Sequence, residues 1–87
     1  MNWRIDFSKD ALKFLKQNNL KEDFIIDKIR FALRKFKGED VNIDIKKLHG
    51  EWERFYRIRS GRLRIITEFQ FEIYRAYIDT IDWRGNA

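Results

Sequence analysis

The chain has 87 residues, of which 44% are hydrophobic, 16% aromatic and 38% charged, and it contains no cysteine and no proline. A chain of this length is too short for a two-domain or barrel enzyme, and its aromatic content excludes a disordered polymer. Without cysteine there is no disulfide framework, no cysteine-based zinc site and no thiol nucleophile. We therefore expect one globular domain, residues 1–87.

The net charge of +5 is concentrated in the middle of the chain. Residues 46–64 carry seven basic and two acidic side chains, whereas residues 1–45 carry ten and eight and residues 65–87 carry two and four. Five of the seven central cations are arginines, whose rigid guanidinium fork matches phosphate oxygens. This pattern predicts an anionic partner, in the first place nucleic acid.

Alternation and helical spacing of apolar residues predict the secondary structure of the first half of the chain. Residues 2–7 alternate apolar and polar side chains, as a half-buried strand does. A short helix is predicted over 9–18 with Ser8 as its N-cap. A second helix is predicted over 20–37, opened by Asn19 in an arrangement close to a capping box. The short connection between the helices makes them an antiparallel pair.

The second half is predicted to be strands. Residues 52–59 and 62–69 flank Ser60-Gly61, a two-residue hairpin signal, and residues 71–81 form a further strand. The last six residues are interpreted as a tail.

These elements define the expected fold class. The predicted order is β-α-α-β-β-β, an α+β architecture in which a two-helix hairpin packs on one face of a mostly antiparallel, twisted sheet. Residues 39–51 show an additional short apolar alternation at Val41, Ile43 and Ile45. The predicted order does not assign a strand to this segment.

An arginine cluster is the main candidate site. Side chains two apart on a strand share a face, so Arg57 and Arg59 project together, as do Arg62 and Arg64 on the next strand. The hairpin brings the two pairs close, and such a cluster can hold a phosphate backbone and stabilise charge developing at phosphorus. The alternative is a solvated face whose arginines pair with acidic residues, namely Glu53, Glu68 and Glu72.

Other residues complete the predicted site. Lys46 and Lys47 are assigned to substrate binding together with Arg62. Trp83 is the best candidate for an exposed platform on which a base stacks, because it stands in the predicted tail beside Arg84.

Several chemistries are not supported by the sequence. His49 is the only histidine and is interpreted as a turn or packing residue. No spacing suggests a metal site, and Ser8 and Ser60 have no partners for nucleophilic catalysis. We predict no metal and no cofactor. No signal sequence or long apolar run suggests a membrane, so the expected location is the cytoplasm.

Three segments carry a resemblance to a known family. They are Lys47-Leu48-His49-Gly50, the run FYRIRSGRLRII over residues 55–66, and Ile78-Asp79 followed by WRGN over 83–86. Together they resemble the RelE/ParE superfamily of toxins from type II toxin–antitoxin modules, at motif level over about residues 46–87.

This resemblance implies a function. RelE-type toxins are ribosome-dependent mRNA endonucleases that act in the A site through attack of the ribose 2′-hydroxyl on the adjacent phosphate, without a metal, and that inhibit translation. A cognate antitoxin, often acidic, silences the toxin in a hetero-oligomer. By the same resemblance Arg57 and Arg59 look like the paired basic residues before the hairpin, Arg64 like the phosphate-stabilising arginine after it, and Arg84 like the arginine near the C-terminus.

Two alternatives stay open. In the best-known RelE branch the paired residues are lysines, one of which is proposed as the general base, and a tyrosine follows near the active site. Here both positions are arginine, a poor proton acceptor, and no tyrosine follows Arg84. Glu53, Glu68 and His49 are the remaining candidates for the base. The chain would otherwise be a non-catalytic ParE-like toxin that inhibits DNA gyrase, or a nucleic-acid-binding module.

Overall fold

The computed structural model describes residues 2–85. It contains two helices and five strands, joined in part by short 3₁₀ turns at Gly50–Trp52 and Phe71–Ile73. In chain order the helices and strands are β1 (Arg4–Phe7), α1 (Lys9–Gln17), α2 (Glu22–Phe36), β2 (Asp44–Lys47), β3 (Phe55–Ser60), β4 (Leu63–Gln70) and β5 (Arg75–Trp83). Within residues 2–85 neither helix is long and apolar enough to cross a membrane.

The N-terminus of α1 is capped as predicted. The Ser8 hydroxyl accepts a hydrogen bond from the backbone N–H of Ala11 at 3.0 Å, and it donates one to the carbonyl of Asp79 at 2.7 Å. The same side chain therefore satisfies a free helix donor and fixes the helix to β5.

The prediction that Asn19 caps α2 is wrong. The N-cap of α2 is Lys21, which makes no side-chain capping bond. Asn19 instead ends α1: its φ is 55°, and the N–H of Leu20 bonds the carbonyl of Leu15 at 2.9 Å. This is a Schellman-type helix end, and asparagine tolerates the left-handed conformation that it requires.

The predicted fold class is confirmed, with one strand more than the predicted order. The sheet has the strand order β1-β5-β4-β3-β2, in which β1 and β5 are parallel and the other pairs are antiparallel. The additional strand is β2, which lies at the edge and pairs Ile45 with Ile58 of β3. It contains four residues and only one apolar side chain, so its local sequence signal is weak.

Two predicted boundaries are wrong in a way that matters for the site. The hairpin between β3 and β4 turns at Gly61-Arg62, because Ser60 already pairs with Leu63. Gly61 has a φ of 58°, a left-handed conformation that glycine adopts without a Cβ penalty. The predicted tail also begins later, because β5 continues to Trp83.

The helices cover one face of the sheet and form the core with it. Its buried aliphatic side chains come from both layers and include Ile25, Ile29, Ile58, Ile65 and Ile78, each fully buried. Along β4, buried and partly exposed residues alternate from Leu63 to Gln70. The other face of the sheet, called the open face below, is therefore not covered by either helix.

Candidate functional site

Strand register places four charged residues in one line across the open face. Asp44 of β2 is opposite Arg59 of β3, Arg59 is opposite Arg64 of β4, and Arg64 is opposite Asp82 of β5. Directly opposed side chains share a face, and neighbouring strands are about 4.8 Å apart. We call this line, Asp44–Arg59–Arg64–Asp82, the charged row.

Arg64 is held by the carboxylate of Asp82. Its Nε donates to Oδ1 at 2.9 Å and its Nη2 donates to Oδ2 at 2.7 Å, a bidentate pair. The hydrogen bond to Asp82, followed by the attraction of that charge, raises the pKa of Arg64 above its ordinary value. Both side chains are partly accessible, with 42% of Arg64 and 39% of Asp82 exposed. Arg64 is thus oriented by the protein and still reachable from solvent.

Arg57 is a largely enclosed arginine of the site. It lies next along β3 on the same face, its side chain is 15% exposed, and its Nη2 donates to Asp44 at 3.0 Å. Its Nε is buried and has no hydrogen-bond partner in the part of the chain that the structure describes. Because buried donors are normally paired, this N–H is an unused donor at the centre of the face.

Arg59 is the arginine of the row that has no carboxylate bound to it. Within residues 2–85 it makes no ion pair, and its buried Nε has no hydrogen-bond partner. It stands directly opposite Arg64, so two like charges face each other across the strands. Such a pair is destabilising unless an anion compensates it, and this is the arrangement that an anionic ligand would relieve.

The remaining predicted residues divide between the two faces and the turn. Lys46 is opposite Arg57 and belongs to the open face, whereas Lys47 is opposite Tyr56 and belongs to the helix-covered side. Arg62 lies in the exposed hairpin turn. Arg84 is close to that turn, because its backbone N–H bonds the carbonyl of Arg62 at 2.7 Å.

Trp83 is not on the open face. It is opposite Leu63, a buried core residue, and its ring lies 5.5 Å from that of Phe14 in α1. Its indole N–H donates to the side chain of Asn18 at 3.2 Å, and 37% of the residue is exposed. The structure thus separates Trp83 and Lys47 from the arginines that it brings together.

The acidic partners of Arg57 and Arg64 differ from those expected for a solvated face. Glu68 and Glu72 approach Arg54 rather than the residues of the charged row. The carboxylates that bind arginines of the open face are Asp44, bound by Arg57, and Asp82, bound by Arg64, and neither was among the candidates in the sequence. For Asp82 the signal lies in the register, since it stands directly across from Arg64. Asp44 stands across from Arg59 but bonds Arg57, two residues away on the same strand.

A second surface lies on the other side of the molecule. A groove of about 490 Å³ runs between the edge strand β1 and α2. Its apolar lining is Trp3, Ile5 and Leu33, and its cationic residues are Arg30, Arg34 and Lys37. This groove combines an apolar floor with a basic rim.

Among residues 2–85, no group of three or more histidine, aspartate or glutamate side chains comes together as a metal site would require. The charged row itself contains two carboxylates, but each of them is engaged by an arginine. The open face thus presents guanidinium donors together with the carboxylate of Glu68 and the ammonium group of Lys46.

Solved structures with the same architecture are known. No protein-family model matches the sequence, and no curated protein sequence matches it. A chain of the archaeal RelE–RelB complex from Pyrococcus horikoshii is 24% identical, with all of both chains covered and a TM-score of 0.69. A chain of the RelBE2 toxin–antitoxin complex from Mycobacterium tuberculosis is 20% identical over 97% of this chain and 100% of that one, with a TM-score of 0.60.

A third similar structure is a YoeB/ParE toxin from Agrobacterium tumefaciens. It is 11% identical, covers 93% of this chain and 98% of its own length, and has a TM-score of 0.63. The likeness extends through both helices and the whole sheet, so it concerns the entire architecture and not one motif. The chain therefore has the fold of the RelE/ParE toxins.

Proposed function

We propose that this chain is the toxin of a toxin–antitoxin module and that it is an endonuclease which cuts mRNA in the ribosomal A site and so inhibits translation in the cytoplasm. The observation that carries the proposal is the charged row, in which Arg59 has no carboxylate partner among residues 2–85 and stands opposite an oriented Arg64. Guanidinium groups fixed in advance stabilise phosphate charge without reorganising during the reaction.

The proposed reaction needs no group beyond RNA and protein side chains. The ribose 2′-oxygen attacks the adjacent phosphorus while the bond from phosphorus to the 5′-oxygen breaks, which leaves a 2′,3′-cyclic phosphate and a 5′-hydroxyl. The proton of the 2′-hydroxyl passes to a base, and the leaving oxygen takes up a proton. Arg57, Arg59 and Arg64 stabilise the negative charge that develops on the phosphate oxygens, and the ribosome contributes positioning.

Of the three candidates for the general base, Glu68 is the one on the open face. It is opposite Phe55 and Tyr77, and its side chain is 18% exposed. Glu53 and His49 flank the short 3₁₀ turn at Gly50–Trp52 and are exposed. Glu68 is therefore the first position at which to test for a base.

Primer extension on translating ribosomes tests this function. Purified protein should introduce new cuts in phase with codons, and Arg59→Ala should abolish them while Lys13→Ala, which removes an exposed cation on α1, should not. If wild-type protein leaves the message intact under conditions in which it arrests growth, the endonuclease proposal is wrong.

A second candidate function is inhibition of DNA gyrase, as in the ParE branch. The observation that favours it is the occupation of Arg57 and Arg64 by Asp44 and Asp82, which leaves fewer free cations than an RNA-cutting surface would offer. A supercoiling assay separates the two functions. Inhibited gyrase with uncut message supports the second candidate, and active gyrase with cut message supports the first.

The proposed partner is an antitoxin with an acidic amphipathic segment. The groove between β1 and α2 suits such a segment, because Trp3, Ile5 and Leu33 offer apolar contact and the rim is basic. Of its cations, Arg34 already bonds Glu39 at 2.9 Å and Arg30 lies 3.9 Å from Asp27, and an incoming carboxylate would join or replace these exposed partners beside Lys37. Coexpression with the neighbouring reading frame should give a toxin–antitoxin hetero-oligomer. Reversing the charge at Arg30 should weaken that complex, whereas Lys13→Glu on α1 should leave it intact.

A further inference from the structure

The way in which Arg64 is bound leaves part of it available. A guanidinium carries five N–H donors, one on Nε and two on each terminal nitrogen. Asp82 takes the donor on Nε and one on Nη2, at 2.9 and 2.7 Å. Both donors of Nη1 and the second donor of Nη2 are not used by Asp82. Because these donors lie in one plane, the bidentate pair fixes the direction of the free edge as well.

The position of Asp82 also reduces the repulsion between the two arginines of the charged row. Arg59 and Arg64 face each other on β3 and β4, while Asp82 stands on the far side of Arg64, on β5. An arginine side chain has several rotatable bonds, so without a counter-charge the Arg64 guanidinium is free to take several directions. Asp82 draws the guanidinium toward β5, on the side away from Arg59, and the bidentate pair keeps it in one direction. The strand of Asp82 is anchored beside Arg84, whose backbone N–H bonds the turn.

We propose that Asp82 is a positioning residue for the RNA site: it holds Arg64 so that the free edge of its guanidinium binds the same phosphate as Arg59. This inference rests on the proposed function and adds to it a residue that contacts the RNA only through Arg64. The opposite role would be that of a competing anion: in that case a phosphate would have to displace Asp82 from Arg64 before it could bind.

The two roles predict opposite effects of Asp82→Asn. A competing anion, once removed, would leave more free arginine and faster cutting. Removal of a positioning residue lets the Arg64 guanidinium rotate, and a misplacement of that group by about 1 Å is enough to lower the rate by up to about 100-fold. We expect kcat to fall by about 10- to 100-fold while KM stays the same or decreases, because the loss of one negative charge strengthens ground-state attraction of RNA.

Two variants serve as controls. Asp82→Glu keeps the carboxylate and should restore a part of the lost kcat. Asp79→Asn removes a carboxylate of the same strand. This carboxylate accepts a hydrogen bond from Thr80 and pairs with no arginine in residues 2–85, so the variant should cut like wild type. An increase in kcat for Asp82→Asn, or equal losses for Asp82→Asn and Asp79→Asn, would overturn the inference.

A second measurement does not depend on cleavage. The Nε–H signal of Arg64 can be followed by NMR while a short 2′-O-methyl RNA, which cannot be cut, is added. We expect the signal to be protected from solvent exchange in free wild-type protein, to shift with RNA and to stay protected. Loss of protection on RNA binding would mean that RNA displaces Asp82, and the absence of any shift would mean that Arg64 does not bind RNA; either result overturns the inference.

The two measurements also separate this inference from the proposed function. If the uncuttable RNA shifts a protected Arg64 signal but no message is cut on ribosomes, the positioning role of Asp82 is supported and the endonuclease proposal fails. If message is cut and Asp82→Asn cuts faster, the endonuclease proposal is supported and the positioning role fails.

Discussion

Replacement of Arg59 by alanine separates a binding role from a structural one. Arg59 has no ion pair within residues 2–85, its Nε has no hydrogen-bond partner, and it faces Arg64 across the hairpin. The protein thus gains little stability from this side chain. We expect Arg59→Ala to weaken RNA binding without weakening the fold.

The magnitudes follow from these contacts. A hydrogen bond to a charged group contributes about 1.5–3 kcal/mol, so the affinity for single-stranded RNA should fall by about tenfold to more than a hundredfold. Each phosphate contact with a single strand contributes about −0.7 to the slope of log K against log salt, so the slope should become shallower by about 0.7. Removing one of two opposed like charges should leave the free energy of unfolding unchanged or raise it by up to about 1 kcal/mol.

Fluorescence anisotropy with a labelled single-stranded RNA over a series of salt concentrations gives the affinity and the slope, and urea denaturation gives the stability. Lys13→Ala is the matched control, since it removes an exposed cation from the helix layer. The reasoning is refuted if Arg59→Ala binds RNA like wild type, or if it loses more than about 1 kcal/mol of stability, because Arg59 would then be a structural residue.

Three further predictions concern the framework that holds the site. Ile58→Ala should cost about 2–5 kcal/mol in urea denaturation, because Ile58 is fully buried beneath the open face, and a loss under 1 kcal/mol would contradict this packing. Thr67→Val should lower the free energy of unfolding by about 1 kcal/mol in the same assay, because it removes a buried hydrogen bond. The Thr67 hydroxyl donates to the Tyr77 carbonyl at 3.0 Å, beside the irregular register of β4 and β5. An unchanged or higher stability would show that this bond contributes nothing. The hydrogen bond from Arg75 lowers the pKa of Asp6 below its ordinary value, so Asp6 adds stability that is fully present above about pH 4 and is lost as pH falls through the lower folded pKa. Asp6→Asn should therefore lower Tm at pH 7 and match wild type at the acid end of a pH series; a difference in Tm that does not change with pH would contradict the assignment.

The sequence predicted features that depend on local periodicity. Alternation in the hairpin determines that Arg57 and Arg59 share a face, because successive side chains of any strand point to opposite sides. The Ser8 cap and the antiparallel helix pair were predicted for the same kind of reason, since capping and short connections act within a few residues. The α+β class followed from these local elements.

Other features depend on which strands meet, and only the tertiary structure determines that. Asp82 is 18 residues from Arg64, and it reaches it because β5 pairs with β4 in one register. Trp83 and Lys47 face the helix side because each belongs to a strand that the prediction did not extend to it: Trp83 ends β5 rather than standing in a tail, and Lys47 belongs to β2, which the predicted order did not count. The sequence by itself therefore determined a basic hairpin on an α+β fold. The strand pairing determined that Arg57 and Arg64 are bound by carboxylates while Arg59, within residues 2–85, is not.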